Sequence, residues 1–352
     1  MDSIRVYLEA AVKDHAADLF LIAGKAISVK KAGTISPLTE ERLMPENSEV
    51  LVRELYALAK RDLPEKVTEW DDDFSLSVPG MARFRVNVFQ QRGSLAAVIR
   101  VVQFGIPDWH SLGLTEEIMK IAQRTRGLVL VTGPAGSGKS TSLACIVDAI
   151  NNNRSAHIIT IEDPIEYLHR NQKSIVSQRE LNTDTESYVT ALRASLRQAP
   201  DVILLGEMRD LDTIQTAMTA AETGHLIIST LHTVGAANTI DRIIDVFPPS
   251  QQQQIRVQLS QVLKTVVSQQ LLPCVDGSVA PAFEIMHLNN AIRNLVRDSR
   301  IHQIDAAIQT GANEGMIGMD ESILRLYKAR RITRETAIHF AMNPDQLQKK
   351  LI

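Results

Sequence analysis

The sequence predicts an α/β fold, in which a parallel sheet is covered by helices on both faces, with a smaller α+β region before it and helices after it. Four apolar runs alternate with helix-forming segments, as is typical of strands buried on both sides. These strands are predicted at Leu128–Thr132, His157–Ile161, Val202–Leu205 and Leu226–Ser229. From Asn289 onward, short amphipathic segments separated by polar turns predict a helical region.

The region before residue 104 has a mixed pattern. Helices are predicted over Ser3–Lys13 and Ser48–Arg61, and strands over Phe74–Val78, Ala82–Phe89 and Leu95–Val102. We expect the last two strands to form a hairpin, because apolar and polar residues alternate from Arg83 to Val88 and a glycine-containing turn follows. A small α+β domain is therefore predicted.

The 352 residues suggest two or three domains, since a domain holds about 100 to 200 residues. Phe104–Asp108 has the composition of a linker, and Thr115 is a plausible N-cap of a helix that runs to Arg124. A further helix opens at Ser250, with amphipathic apolar positions at 255, 259, 262, 263, 266 and 267. The predicted division is residues 1–103, a linker at 104–114, residues 115–288 and a helical region at 289–352.

Charge, cysteine content and hydropathy limit the kinds of partner and site that this protein can have. The net charge of −3 provides no basic field along the sequence, so no nucleic-acid partner is expected. Cys145 and Cys274 are far apart, which excludes a disulfide framework and a Cys-x-x-Cys metal site and favours a reducing cytosol. No apolar run approaches the roughly 20 residues that cross a bilayer, and the charged N-terminus does not resemble a signal peptide, so we expect only peripheral membrane contact.

The strongest chemical signal is a glycine-rich loop between a predicted strand and a predicted helix. It matches the P-loop pattern of nucleotide-binding proteins. In such a loop the backbone N–H groups face phosphates, Lys139 reaches the β and γ phosphates, and the Ser140 hydroxyl is offered to Mg²⁺. ATP and Mg²⁺ are therefore the predicted ligands. The predicted contacts are Gly133, Pro134, Ala135, Gly136, Ser137, Gly138, Lys139, Ser140 and Thr141.

A carboxylate is predicted beside this loop. The strand Val202–Leu205 is followed by Gly206 and Glu207, and open α/β sheets bind ligands at the carboxyl ends of their strands. An acid there can hold Mg²⁺ or its water, or polarise the attacking water, so Glu207 is both a metal and a catalytic candidate. The alternative is a surface carboxylate that caps the next helix.

Four blocks together resemble the secretion ATPases that power type II and type IV secretion and type IV pili. They are the P-loop, the acidic segment Glu162–Glu166, the segment beginning at Glu207, and a histidine segment containing His225 and His232. Flanking segments look like the retraction motors of this family: Arg83–Asn87, Arg126–Thr132, Ile240–Pro248 and Ala291–Leu295. The resemblance implies a RecA-like ATPase domain, an N-terminal PAS-like domain, a helical tail and a ring of six.

The resemblance also implies roles for individual residues. Glu166 corresponds to the acidic-box glutamate implicated as general base, and Glu207 to the Walker B acid. His225 and His232 match the histidine box, which makes His225 a nucleotide-contact candidate and His232 a sensor of nucleotide state. Lys139 is the phosphate-binding catalytic lysine. The residues by themselves do not decide which glutamate takes the proton.

Arginines from a neighbouring subunit would complete the neutralisation of the phosphate charge, as in other P-loop enzymes. The candidates are Arg100, Arg193, Arg197 and Arg209, of which we assign Arg197 and Arg209 catalytic roles. The alternative for each is an ordinary ion pair on a solvated helix face.

The function implied is an ATP-driven motor that retracts a type IV pilus, a homohexamer acting on an inner-membrane platform protein. The rivals are a pilus assembly or type II secretion ATPase, an accessory retraction ATPase, a RecA-like DNA translocase and a nucleotide-gated regulator. Assembly ATPases usually carry a further N-terminal domain and a tetracysteine zinc site. Ala16–Leu21, Val29–Thr34 and Arg197–Asp201 depart from the family pattern and keep the accessory role open.

Overall fold

The computed structural model describes residues 2–31, 33–64, 71–102 and 105–351. The chain divides into two compact units, one of Met1–Gly105 with Glu166–Leu168 and one of Ile106–Ile165 with His169–Ile352. The C-terminal helices belong to the second unit. Residues 103 and 104, at the predicted domain boundary, lie outside the described residues, and the four-part division stays a prediction.

The described residues of the first unit form an antiparallel sheet and two helices. Its elements are α1 (Ile4–Lys13), β1 (Asp18–Leu21), β2 (Ala26–Lys31), β3 (Thr34–Arg42), α2 (Pro45–Leu58), β4 (Asp72–Val78), β5 (Ala82–Gln91) and β6 (Ser94–Val102). The sheet order is β3-β2-β1-β6-β5-β4. The predicted hairpin of β5 and β6 is confirmed, and Arg92 and Gly93 both have positive φ at its turn, as the twist of a two-residue hairpin loop requires. Strands β1 to β3 were not predicted.

The second unit begins with a succession of βα elements. They are α3 (Glu116–Met119), β7 (Gly127–Thr132), α4 (Lys139–Asn153), β8 (His157–Glu162), β9 (Ile175–Glu180), α5 (Tyr188–Ser195), β10 (Val202–Leu205), α6 (Leu211–Glu222), β11 (Leu226–Leu231) and α7 (Ala236–Asp245). The Thr115 side chain caps α3, as predicted, and the helix continues to Gln123 as a 3₁₀ turn. All four predicted strands are present.

The unit closes with a helix, two strands and the C-terminal helices. They are α8 (Pro249–Val262), β12 (Leu263–Pro273), β13 (Val279–His287), α9 (Asn290–Arg297), α10 (Ile304–Thr310), α11 (Met319–Lys328), α12 (Arg334–Phe340) and α13 (Pro344–Gln348). The predicted helical C-terminal region is confirmed. In α9, Asn289 caps the helix through the Ile292 N–H, Ile292 is fully buried, and Arg293 donates to the Ser260 carbonyl at 3.1 Å.

The sheet of this unit has the order β13-β12-β7-β11-β10-β8-β9 and is parallel except for the edge strand β13. Every residue of β7 and β11 is buried, so helices cover both faces. The predicted α/β class is confirmed. Because parallel strands end at one edge, the loops after β7, β8, β10 and β11 all lie at that edge.

One predicted element is wrong in its extent. The helix that opens at Ser250 ends at Val262, and positions 263, 266 and 267 lie in β12. Eight of the eleven residues of β12 are buried, so the apolar positions in this stretch do not reveal whether the backbone is helical or extended. None of the helices in the described ranges is both long and apolar enough to span a membrane.

Candidate active site

The glycine-rich loop turns tightly between β7 and α4. Gly133 has φ 144°, and a Cβ there would collide with the Gln269 carbonyl oxygen and lie 2.7 Å from Ser137 Oγ. Gly138 has φ 85°, and a Cβ there would lie 2.9 Å from Gln269 Nε2. Both positions therefore require glycine, for conformation and for space.

Gln269 on β12 packs against this loop. Its Oε1 accepts a hydrogen bond of 2.8 Å from Ser142 Oγ on α4, and both side chains are buried. Sequence reasoning missed Gln269 because it lies next to the segment predicted as a continuing helix. A polar residue within an otherwise apolar run is the signal that could have identified it.

Lys139 is held close to the loop. Its Nζ donates to the carbonyl oxygens of Gly133 at 2.8 Å and Pro134 at 2.9 Å, and the residue is only 8% exposed. The ammonium is therefore positioned at the loop backbone, where phosphates would bind. To contact a phosphate, the Nζ must exchange these carbonyls for phosphate oxygens.

The remaining loop residues fit a phosphate ligand. Ser137 Oγ is buried, and within the described ranges it has no hydrogen-bond partner. A Cβ at Gly136 would meet no atom within 4 Å, so the loop has open space on that side. Ser140 is exposed in the first turn of α4, a helix of 15 residues whose N-terminus favours anions. An orphan hydroxyl, an open loop and a helix N-terminus together suit phosphate oxygens.

Glu207 lies at the same edge, directly after Gly206 at the end of β10. Its Oε2 accepts from Arg209 Nε at 2.6 Å and lies 3.4 Å from Nε2 of His232, which follows β11. The Glu207 side chain is 18% exposed, whereas that of Arg209 is 72% exposed. Strand β11 separates β10 from β7, so His232 extends from the intervening strand toward the carboxylate.

Tyr188, at the start of α5, is a site residue that sequence reasoning missed. Burial, together with the carboxylates of Glu207, Asp163 and Glu162, raises the pKa of its phenol, so the hydroxyl stays protonated. A Cβ at Gly206 would lie 2.8 Å from this hydroxyl, so glycine there makes room for the ring. No sequence motif links a tyrosine at position 188 to the carboxylate of Glu207.

The acidic segment follows β8. Glu162 Oε1 accepts from Thr160 Oγ1 at 2.6 Å and from Gln178 Nε2 at 3.3 Å, which fixes this carboxylate at the strand end. Glu166 is exposed and belongs to the first compact unit.

The two predicted histidines are separated by a whole strand. His232 lies at the carboxyl end of β11, but His225 lies before it, with Nδ1 3.0 Å from the Ala220 carbonyl oxygen. Six extended residues span about 20 Å. His225 therefore lies far from the P-loop of its own chain, and its contact with a nucleotide stays a prediction.

The candidate arginines are also dispersed. Within the described part of the chain, Arg209 is the one candidate arginine with an ion pair to a predicted site residue, Glu207. Arg193 and Arg197 are exposed at the end of α5. Arg100 is in the first unit, where its Nε lies 3.1 Å from the Asp18 carboxylate.

Comparison with known proteins places this geometry in a family. The family model for type II/IV secretion system proteins matches residues 2–343. The type IV pilus retraction ATPase PilT of Pseudomonas aeruginosa is 43% identical over 96% of this chain and 98% of the relative. The type IV pilus ATPase PilU of the same organism is 38% identical over 97% of this chain and 89% of the relative.

A solved structure agrees with these relatives. A crystal structure of the pilus retraction motor PilT with bound ADP superposes with a TM-score of 0.90 at 44% identity, covering 99% of this chain and 100% of that one. Because the family model and these relatives span nearly the whole chain, the protein belongs to the family of type II/IV secretion system proteins.

Proposed function

We propose that this protein is an ATP-hydrolysing motor that drives retraction of a type IV pilus. The observation that carries the proposal is that the P-loop and the Glu207–His232 pair lie at one sheet edge of a chain similar to PilT over nearly its full length. Identity to PilT is higher than identity to PilU, which favours the retraction motor over an accessory ATPase.

The loop residues bind and orient ATP. Backbone N–H groups of the loop and the N-terminus of α4 receive the phosphates, and Lys139 leaves the carbonyls of Gly133 and Pro134 to contact the β and γ phosphates. Ser140 and Glu207 would hold Mg²⁺. When bound, Mg²⁺ neutralises charge that develops on the phosphate oxygens.

A carboxylate must position or deprotonate the attacking water. Glu166 takes this role by its match to the acidic box, and Glu207 is the rival acceptor. The Tyr188 hydroxyl stays protonated beside the carboxylates of Glu207, Asp163 and Glu162, so it adds no negative charge to the site. His232, 3.4 Å from Glu207, reports the state of this carboxylate to the loop after β11.

Six copies form a ring in this proposal, and arginines of one subunit reach the phosphates of the next. Arg193 and Arg197 are exposed and available to a neighbour. Arg209 instead pairs with Glu207 of its own chain and must be released before it can contact a phosphate. The ring acts at the cytoplasmic face of the inner membrane on a platform protein of the pilus machine.

The experiment that tests the enzyme is ATP turnover by the purified protein, with particle mass measured in parallel. We expect Lys139→Ala to abolish turnover and weaken ATP binding, because the loop loses its only lysine. Lys328→Ala, an exposed lysine on α11, is the matched control and retains turnover. Wild-type turnover by Lys139→Ala, or an active species that is strictly monomeric, would contradict the proposal.

A further inference from the structure

A second cavity lies at the opposite edge of the parallel sheet from the P-loop. Its volume is about 570 Å³, within the range of small-molecule sites. Arg126 directly precedes β7, and Lys264 is the second residue of β12, so the cavity lies at the amino ends of these strands. The six residues of β7 place it about 20 Å from the P-loop.

Three of the cations that line this cavity have no ion-pair partner among the described residues. Among the described residues, neither guanidinium of Arg124 and Arg126 nor the ammonium of Lys264 has a carboxylate within 4.0 Å. The carboxylates present are already engaged. Glu117 pairs with Lys120 at 2.6 Å and with His287 at 3.0 Å, and Glu314 accepts from Asn289 at 3.1 Å.

The cations also repel one another. Burial, followed by the positive charges of Arg293, Arg124 and Arg126, lowers the pKa of Lys264. Burial likewise lowers the pKa of Arg124, and the negative charge of Glu117 offsets only part of this shift. An anion bound among these groups would remove that repulsion and supply the missing hydrogen-bond acceptors.

Packing holds Lys264 in place. Its aliphatic chain crosses Gly127, where a Cβ would lie 2.6 Å from two of its carbon atoms. Gly127 also has φ 102°, a backbone conformation that favours glycine. Both the conformation and the space for the Lys264 side chain therefore require glycine at this position. Lys264 Nζ donates to the Gln261 carbonyl at 3.2 Å, which leaves two of its three protons for a ligand.

We propose that this cavity binds a phosphate-bearing anion through Arg124, Arg126 and Lys264. Two guanidinium groups provide bidentate donors for phosphate oxygens, and the ammonium adds a third positive charge. A diphosphate group matches this charge. The source is either a free phosphorylated compound or the headgroup of an anionic lipid, which present the same chemistry.

The test measures pyrophosphate binding by calorimetry on the full chain. ADP saturates the P-loop, so the measured heat comes from pyrophosphate that binds in the second cavity. The variant is Arg124→Gln/Lys264→Gln, and the matched control is Lys328→Gln on α11. We expect the double variant to bind pyrophosphate about tenfold more weakly or worse, since charge-assisted hydrogen bonds are lost. ADP binding confirms that each variant is folded. The single variant Arg126→Gln, at an exposed position, should weaken pyrophosphate binding less than the double variant does.

A second arm distinguishes the sources. The same proteins are sedimented with vesicles of phosphatidylcholine alone and of phosphatidylcholine with phosphatidylglycerol in equal parts. If the wild type binds anionic vesicles and the double variant does not, the ligand is a lipid headgroup. If the wild type binds pyrophosphate but no vesicles, and the double variant loses pyrophosphate binding, the ligand is a free compound. The proposal is overturned if wild type binds neither probe, or if the double variant binds as wild type does.

Discussion

His232 Nε2 lies 3.4 Å from Glu207 Oε2, across the carboxyl ends of two neighbouring parallel strands. On its other side the same oxygen accepts from Arg209. The carboxylate therefore lies between an arginine in the loop after β10 and a histidine in the loop after β11. We expect a change in the charge around Glu207, such as the arrival of Mg²⁺ with a nucleotide, to alter both contacts.

The first prediction concerns the two histidines. We expect His232→Ala to lower kcat about tenfold or more while nucleotide affinity is largely kept, because the positioned contact to Glu207 is lost. His225→Ala is the matched control, since His225 lies at the opposite end of β11. Steady-state ATP turnover with a binding titration checks both; an equal loss in the two variants would contradict the separation.

The second prediction separates the two glutamates. Glu207→Gln should reduce turnover by about a hundredfold and weaken the dependence on Mg²⁺ concentration, because a metal-holding carboxylate is lost. Glu166→Gln should reduce turnover similarly but keep the wild-type Mg²⁺ dependence, as expected of a general base. Turnover measured across a Mg²⁺ titration distinguishes them. A changed Mg²⁺ dependence in Glu166→Gln alone would reverse the assignment.

The parallel sheet could be predicted from the sequence because its strands are continuous apolar runs, such as those of β7 and β11. The same property caused the error at Leu263, where a helix and a buried strand place apolar residues alike. In β3 most residues are exposed, so no alternation of apolar and polar residues marked it as a strand.

The site was predictable where chemistry is local in sequence. Gly133 to Thr141 form one continuous motif, and the loop, helix and lysine follow from it. Tyr188 and Gln269 join the site only through the order of strands in the sheet, which no motif encodes. His225 and His232 show that a motif does not fix proximity, because these residues, seven apart in sequence, lie at opposite ends of β11.

A third prediction follows from His169. Burial lowers the pKa of His169 from 6.5 to about 4, so the folded state favours the neutral ring. The free energy of unfolding is therefore unaffected by this group above about pH 6.5. It decreases as the pH falls toward 4, by at most about 3 kcal/mol. Urea unfolding at several pH values should show this loss, and His169→Gln should reduce it. Exposed His302→Gln is the control, and an unchanged acid profile in His169→Gln would refute the assignment.

The two thiols should differ in reactivity. Burial raises the pKa of the Cys145 thiol to about 11, and the residue is 3% exposed, so little thiolate forms near neutral pH. Cys274 is only half-buried. We expect iodoacetamide to label Cys274 in the native protein and Cys145 only after unfolding, as read by mass spectrometry. Cys274→Ser should abolish native labelling; persistent labelling of that variant would show that Cys145 is accessible.

Pilus retraction in living cells tests the central claim most directly. The gene is deleted in the source organism, and labelled pili are imaged with wild-type, Lys139→Ala or Lys328→Ala protein restored. A retraction motor predicts that deletion leaves retained or excess pili that do not retract, that Lys328→Ala restores retraction, and that Lys139→Ala does not. Absence of pili after deletion, or normal retraction without the protein, would contradict the account.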